Sequence, residues 1–435
     1  PVPSASASGI VPINETLMNT TPNPITVTYN IITTANSCSN TPQQVTVVVN
    51  PKPLLTTTST TVCSNNLLSY TAASTTPGTT FTWSRAGVTN ISNTSASGTN
   101  TINETLINTS NSPVVVTYNF VLTANGCTNN QTLSVTVFPT PLLSSSLSPV
   151  AVCSEVPFSY SPTFAVSATT YSWTRTSVIG ITPTSSSGNN IAVNETLINS
   201  NASTTNVTYL FNLIANGCTN QQSVLLPVLP NLTLNSVLSA PAICNGTTFT
   251  YTPSSQVSNV SFSWTRSAIT GITPTSNSGT GSINEVLNNT TTAPITVTYA
   301  YTLTANGCSK TTTISVVVKP TPVLNSPLIG VVCNNAPFNY TATSATVGTT
   351  YSWTRASVSG ISNAIGSGSG ATINEVLNNT TTAPIVVNYL ITLNANQCPI
   401  TQTLAVTVNP TPSLSSSLTP PSICSAYPFS YTPTS

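Results

Sequence analysis

The sequence contains no histidine and no aspartate, and it has few charges of either sign. Charged residues make up 3% of the 435 residues and the formal net charge is +1, whereas ordinary globular proteins carry roughly 25% charged residues. A nucleic-acid-binding face is therefore excluded, because such a face needs clustered lysine and arginine. No run approaches the ~20 consecutive apolar residues that a membrane-spanning helix needs.

The same absences argue against an enzyme. General acid–base catalysis uses a histidine or paired carboxylates, and a serine or cysteine nucleophile needs a neighbouring base. Calcium sites need several carboxylates together, and the ten cysteines show no Cys-x-x-Cys spacing of the kind that binds zinc. We therefore expect no catalytic residue, no metal site and no cofactor.

What the sequence does contain is a repeat of about ninety residues, marked by two cysteines in each copy. Self-similarity at this period is typical of tandem small β-sandwich domains. Regular cysteines outside a zinc pattern indicate disulfides in an oxidising, extracellular setting. The early cysteine of the repeat is Cys63, Cys153, Cys244, Cys333 and Cys424, and the late one is Cys38, Cys127, Cys218, Cys308 and Cys398.

The period predicts four complete repeats between two partial ones. We expect 1–50 to be the C-terminal half of a repeat and 410–435 to be the N-terminal part of another, so that the sequence is a section of a longer array. The complete repeats are predicted at 51–139, 140–229, 230–319 and 320–409.

Within the repeat 51–139, the residue pattern predicts short strands. They are expected at 67–71, at 80–85 and from 114 onwards, where apolar residues alternate with polar ones over five pairs. Asn125-Gly126 predicts a hairpin turn, because both residues tolerate positive φ. About seven such strands describe an immunoglobulin-like sandwich.

One tryptophan recurs in every complete repeat. In an immunoglobulin-like sandwich, a tryptophan on the third strand fills the core. Core packing is therefore the first interpretation, and a sugar-binding platform is the alternative. The equivalent residues are Trp83, Trp173, Trp264 and Trp353.

One pair of opposite charges also recurs, with an arginine two residues after the tryptophan and a glutamate further on. Two interpretations stand: a solvated surface pair contributing about 0–1 kcal/mol, or a partly buried bridge that fixes strand pairing. The pairs are Arg85 with Glu104, Arg175 with Glu195, Arg266 with Glu285, and Arg355 with Glu375.

The strand order constrains the disulfides. A first strand of about ten residues at ~3.3 Å per residue places Cys63 at the far end of its domain, whereas Cys127 lies in the last hairpin at the near end. An intradomain bond would then span ~30 Å, although a disulfide needs Cα atoms within ~7 Å. A shorter or kinked first strand would restore the intradomain pairing, which stays open as the alternative. The favoured bonds join neighbouring repeats, as Cys63 with Cys218, Cys153 with Cys308, and Cys244 with Cys398, leaving Cys38, Cys127, Cys333 and Cys424 to partners outside the sequence.

Several motifs resemble a known family. The run Tyr171-Ser-Trp-Thr-Arg175, the INET or INEV motif, the Val-Thr-Tyr strand, Ala-Asn-Gly-Cys and the closing Pro-Thr-Pro are similar to the PKD-like domain repeats of giant Bacteroidota surface proteins. The resemblance covers essentially the whole chain. Small departures are Ser37 and Gln397 at the turn glycine, and the run Pro230-Asn231, which lacks the second proline.

The resemblance implies stalks of secreted adhesins, including those of gliding motility, exported by the type IX system. We therefore predict an all-β array of Ig-like or PKD-like sandwiches forming an extended rod. Its expected function is that of a structural stalk in an extracellular filament or cell-surface adhesin. The alternatives are a glycan-binding or self-binding array and a spacer within a secreted enzyme. The expected partners are neighbouring copies of the repeat and identical chains in a filament.

Overall fold

A computed structural model describes residues 12–435 of the protein, and all regular structure in this range is β-strand. The first eleven residues of the predicted partial repeat 1–50 lie outside the described residues. The chain divides into two units, Pro1–Pro230 and Asn231–Ser435, and each is described by itself. None of the described residues forms a helix that is long and apolar enough to cross a membrane.

Unit 1 contains the first partial repeat and two complete ones. The partial repeat has β1 (Ile25–Ile31), β2 (Thr34–Ala35), β3 (Cys38–Ser39) and β4 (Gln43–Val49). The repeat 51–139 has β5 (Ser59–Cys63), β6 (Leu67–Thr71), β7 (Thr80–Arg85), β8 (Ala96–Thr99), β9 (Thr101–Thr105), β10 (Val114–Ala124) and β11 (Cys127–Phe138). The repeat 140–229 has β12 (Pro157–Tyr160), β13 (Thr170–Arg175), β14 (Ile181–Thr182), β15 (Ser186–Asn189), β16 (Val193–Thr196), β17 (Ile198–Asn199), β18 (Thr205–Ala215) and β19 (Cys218–Val228).

Unit 2 contains the other two complete repeats and the segment 410–435, which has no strand. The repeat 230–319 has β20 (Ile243–Cys244), β21 (Thr248–Tyr251), β22 (Ser261–Arg266), β23 (Ile272–Thr273), β24 (Asn277–Thr280), β25 (Ile283–Val286), β26 (Asn288–Asn289), β27 (Ile295–Ala305) and β28 (Cys308–Lys319). The repeat 320–409 has β29 (Ile329–Cys333), β30 (Pro337–Thr341), β31 (Thr349–Arg355), β32 (Gly366–Ser369), β33 (Thr372–Val376), β34 (Ile385–Ala395) and β35 (Cys398–Asn409).

Each complete repeat is a sandwich of one larger sheet, of four or five strands, and smaller strand pairs, of which the repeats 51–139 and 320–409 have one and the repeats 140–229 and 230–319 have two. In the repeat 51–139 the larger sheet has the order β5-β11-β10-β7-β8, and β6 pairs with β9. Its pairs are antiparallel, except that β5 runs parallel to β11. The predicted strands at 67–71 and 80–85 are β6 and β7. The all-β fold class that the sequence predicts is therefore confirmed.

The core follows from the period-two alternation. Along β10, Val116, Tyr118, Phe120 and Leu122 point inward and are at most 1% exposed, while the residues between them face outward. The hairpin between β10 and β11 has φ of 48° at Asn125 and 76° at the following glycine, as its sequence predicts. The inward side chains of β10 and β11 share one core cluster with Phe81 and Trp83 of the neighbouring strand β7.

The departures from the turn motif leave the hairpin conformation unchanged. Asn36 and Ser37 have φ of 53° and 65°, and Asn396 and Gln397 have φ of 53° and 72°. Serine and glutamine therefore adopt the left-handed conformation that glycine supplies in the other repeats.

Candidate functional site: buried charge triads and cysteine links between repeats

The recurring arginine follows from the alternation of the tryptophan strand. Trp173 and Arg175 both point into the sandwich because they are two residues apart on β13. Glu195 lies on β16, which belongs to the smaller sheet. The arginine–glutamate bridge therefore ties the two sheets of the repeat together through its core.

The bridge has the same geometry in all four complete repeats. The Arg175 Nε donates to Glu195 Oε2 at 2.9 Å, and its Nη2 donates to Oε1 at 2.9 Å. Arg85–Glu104, Arg266–Glu285 and Arg355–Glu375 repeat this two-point contact. The arginine side chains are at most 2% exposed and the glutamate side chains 3–17%. This burial fits the buried-bridge interpretation and not a solvated surface pair.

A tyrosine from the adjacent strand completes each bridge into a triad. The Tyr299 hydroxyl donates to Glu285 Oε2 at 2.6 Å, and Tyr389 donates to Glu375 Oε2 at the same distance. Tyr118 and Tyr209 make the same contact to Glu104 and Glu195. The sequence analysis did not identify these tyrosines as partners of the glutamates, although each lies fourteen residues after its glutamate.

Backbone carbonyls accept further hydrogen bonds from the arginines. Arg175 Nη2 donates to Pro183 O at 3.0 Å, and Nη1 donates to Thr184 O at 3.3 Å. In the next repeat, Arg266 makes equivalent bonds to Pro274 O and Thr275 O at 2.9 and 3.1 Å. Four of the five N–H donors of the Arg175 guanidinium therefore have acceptors, and all four acceptors belong to the same repeat.

The triad holds the glutamate ionised. Burial alone would raise the pKa of Glu195, but hydrogen bonds from Arg175 and Tyr209 outweigh burial and bring the pKa below its ordinary value. Burial, followed by the bond to Glu195, raises the pKa of Tyr209. The same directions hold for the other three triads. Since each charge already has its partner, the triads stabilise the fold and offer no group to a substrate.

The four tryptophans lie in the core beside these triads. Their exposed fractions are 3–8%, and Trp173 meets Tyr209 edge-to-face with ring centroids 5.7 Å apart. This burial fits core packing and not a sugar-binding platform. Among residues 12–435, no group of three or more potential metal ligands occurs.

A glycine faces each tryptophan ring, and the sequence analysis did not predict this contact. A Cβ at Gly188 would lie 2.6 Å from Trp173 Nε1, and one at Gly98 would lie 2.7 Å from Trp83 Cζ2. The glycine recurs fifteen residues after each tryptophan, at Gly98, Gly188, Gly279 and Gly368. That constant spacing inside the Gly/Ser-rich stretch is the signal that could have identified it.

The strand register places the two cysteines of a repeat at opposite ends. Cys63 is paired with Phe138 at the end of β11, whereas Cys127 begins that strand. Eleven residues of strand separate these ends, which is about 36 Å. A bond between Cys63 and Cys127 is therefore impossible within the folded repeat.

The structure bonds cysteines of neighbouring repeats. Cys63 is bonded to Cys218, with Cα atoms 5.6 Å apart. Cys244 is bonded to Cys398, with Cα atoms 5.7 Å apart. Cys153 and Cys308 are also disulfide-bonded, and the predicted bond between them stays a prediction. The free cysteines are Cys38, Cys127, Cys333 and Cys424.

Comparison with known proteins identifies the repeat. Residues 60–141, 241–322 and 330–412 match the PKD-like domain family, which covers more than half of the chain. No curated protein matches the chain in sequence.

Solved structures give more distant likenesses. The insect immune protein hemolin is 11% identical, with 82% of this chain and 99% of that chain covered and a TM-score of 0.24. An I-band fragment of titin is 11% identical, with 62% and 99% covered and a TM-score of 0.31. Sidekick-1 immunoglobulin domains 1–4 are 9% identical, with 82% and 98% covered and a TM-score of 0.24. On the family match, this chain belongs to the PKD-like domain family, as a tandem array of Ig-like β-sandwich repeats.

Proposed function

We propose that this chain is a structural stalk segment of an extracellular filament or cell-surface adhesin. The observation that carries the proposal is the bond from Cys63, at one end of its repeat, to Cys218 of the following repeat. A disulfide placed there contributes nothing to the closure of either sandwich core. It joins two consecutive domains covalently, which is useful where a chain has to resist bending or pulling.

The charged residues support the same role. Eight of the few ions of the chain are paired inside repeats, in the four arginine–glutamate bridges. The exposed side chains are threonine, serine and asparagine together with some valine, leucine and isoleucine. Such repeats hold their shape without offering a charged surface to ligands, and we propose that the chain is not an enzyme.

The family resemblance extends the proposal to its setting. The tandem PKD-like repeats are similar to those of giant Bacteroidota surface proteins. We propose that the chain is exported by the type IX system and belongs to an adhesin of the gliding-motility kind. The disulfides support an oxidising location outside the cytoplasm.

Two measurements test this function. Antibodies against the repeat 140–229 should label intact cells of the source organism, and protease added outside should remove the label. Small-angle scattering of the oxidised chain should give a maximum dimension above about 150 Å, at roughly 35–45 Å per domain. Label only after cell lysis, or a maximum dimension near that of a compact globule, would contradict the stalk.

Exposed apolar side chains favour one alternative, the self-binding array. On the outward face of β10, Val115 is 56% and Val121 is 42% exposed, and on β34 Val386 and Leu390 are 53% and 44% exposed. Such residues would pack against identical chains if stalks assemble side by side. Analytical ultracentrifugation of wild type beside a Val115→Thr, Val121→Thr variant tests this, because only lateral packing makes the sedimentation depend on these two residues.

A further inference from the structure

We propose that the disulfides between repeats limit how far the chain can be stretched, because they carry tension past the sandwich cores. The inference rests on the proposed function as a stalk. It adds that the stalk has a limited length under tension. It follows from which cysteines are bonded and from the strands in which they lie.

In unit 1, tension has a short covalent path. A force that enters the repeat 51–139 from its N-terminal side runs along β5 and reaches Cys63. The bond to Cys218 then passes it into β19 of the next repeat. Residues 64–217 form a closed loop beside this path and carry no tension, although the bonded cysteines are 155 residues apart in sequence.

The strands on this path are already extended. β5 is paired with β11 over five residue pairs and β19 with β18 over eleven. A strand rises about 3.3 Å per residue, close to the 3.3–3.6 Å maximum of a stretched chain. A pulling force therefore acts along hydrogen-bonded strands that are already close to their maximal length. These strands can lengthen only slightly under load.

Unit 2 has the same arrangement. Tension reaches Cys244 at the end of β20 and passes through the bond to Cys398 at the start of β35. β35 is paired with β34 over eleven residue pairs. Residues 245–397 form the second closed loop.

All four buried triads and all four core tryptophans lie inside the two loops. Trp83, Arg85 and Glu195 fall within 64–217, and Trp264 and Glu375 fall within 245–397. A repeat that unfolds under load therefore cannot lengthen the chain while the bonds hold. Cys153 and Cys308 lie inside the two loops, so their bonds lie off this path and do not change its length.

Single-molecule stretching of the full oxidised chain between its two ends tests the proposal. The four free thiols are alkylated first, and mass spectrometry verifies that Cys63, Cys218, Cys244 and Cys398 are bonded. The path then contains about 130 residues and should stop near 450 Å, whereas the reduced chain should extend to about 1,500 Å. The reduced trace should also show repeat-sized unfolding steps that the oxidised trace lacks.

Two double variants provide the matched comparison. Cys63→Ser with Cys218→Ser opens the first loop and should add at least about 400 Å to the limit. Cys153→Ser with Cys308→Ser removes cysteines outside the path and should leave the limit of the oxidised chain unchanged.

Each outcome decides the proposal. An oxidised chain that stretches as far as the reduced one overturns it, and so does a Cys63→Ser, Cys218→Ser variant with the wild-type limit. Free Cys63 or Cys244 in the purified oxidised protein overturns it as well. The stalk function fails separately, through the cell-labelling and scattering results, because neither of those measurements depends on the stretching limit.

Discussion

Arg175 and Glu195 meet in the core of their repeat through two parallel hydrogen bonds, Nε to Oε2 and Nη2 to Oε1, each 2.9 Å long. The guanidinium and carboxylate planes match in this arrangement, which a lysine could not reproduce. Because the two side chains are 0% and 5% exposed, either charge would be left without water if its partner were removed.

We expect Arg175→Ala to lower the free energy of unfolding of the repeat 140–229 by about 3–5 kcal/mol, since it leaves the Glu195 carboxylate buried and unpaired. Arg175→Met with Glu195→Leu should recover part of this loss, because it removes both charges and keeps the volume but leaves the Tyr209 hydroxyl without its acceptor. Hydrogen–deuterium exchange of peptides from this repeat in the oxidised full chain measures the change.

Thr174→Ala on the outward face of the same strand is the control and should change stability by less than about 0.5 kcal/mol. A cost below about 1 kcal/mol for Arg175→Ala would show that the pair behaves as a solvated one.

The triads also predict a sensitivity to acid. The pKa values of Glu104, Glu195, Glu285 and Glu375 are lowered in the folded state. Their stabilising contribution is therefore complete above the unfolded value of about 4.3 and is lost as the pH falls through the lower folded pKa values. Thermal unfolding should move to lower temperature below about pH 4, while pH 5 and pH 7 should give similar transitions.

The variant that combines Arg175→Met and Glu195→Leu serves as the comparison for the acid effect. In this variant the protection factors of the repeat 140–229, which are corrected for the intrinsic exchange rate at each pH, should no longer fall in acid, while those of the repeat 230–319 should still fall. An acid response that persists in the variant repeat would assign the effect to groups other than the triad.

The sequence predicted the strands that alternate strongly and the ends at which the cysteines lie. β6 and β7 have the predicted bounds because their apolar period is regular. The short strand β8 was missed because Ala96–Thr99 shows no such period. Its position is fixed instead by Gly98, which admits the Trp83 ring at close range. Such packing is a tertiary contact that local residue patterns do not encode.

The triad was predicted in two of its three members. Opposite charges in a nearly uncharged chain are conspicuous, so Arg85 and Glu104 were paired from the sequence. Tyr118 lies on the strand that alternates from 114 onwards, but its bond to Glu104 depends on how the two sheets face each other. Burial of the pair likewise depends on that packing, which is why the sequence left the surface and buried interpretations open.

The two glycines of one repeat give a matched test of the tryptophan contact. Gly98→Ala places a methyl group 2.7 Å from Trp83 Cζ2, whereas a methyl group at Gly87 meets no atom within 4 Å. We expect Gly98→Ala to destabilise the repeat 51–139 by about 1–3 kcal/mol through overpacking. Gly87→Ala should stay within about 0.5 kcal/mol. Exchange rates of β7 peptides measure the stability change of each variant. Equal changes for the two variants would show that the Trp83 ring moves aside without loss of stability.

The last prediction concerns the indole nitrogens of Trp173 and Trp264. Trp173 Nε1 donates to Ile191 O at 2.9 Å. Trp264 Nε1 is buried and has no acceptor within the described residues. In the same repeat, Gly281 O accepts a hydrogen bond of 2.9 Å from the Tyr301 hydroxyl. Both repeats therefore contain the buried indole ring, but only the repeat 140–229 provides an acceptor for its N–H group.

Replacing each tryptophan with phenylalanine separates packing from hydrogen bonding. Trp173→Phe loses ring volume and leaves the Ile191 carbonyl without its donor, while Trp264→Phe loses the same volume but removes an unsatisfied donor. We expect Trp264→Phe to cost about 1–2 kcal/mol less than Trp173→Phe. Trp83→Phe should resemble Trp173→Phe, because Trp83 Nε1 donates to Thr101 O at 3.0 Å. Peptide-resolved exchange of the three repeats gives the comparison, and equal costs for all three would mean that Trp264 finds an acceptor in solution.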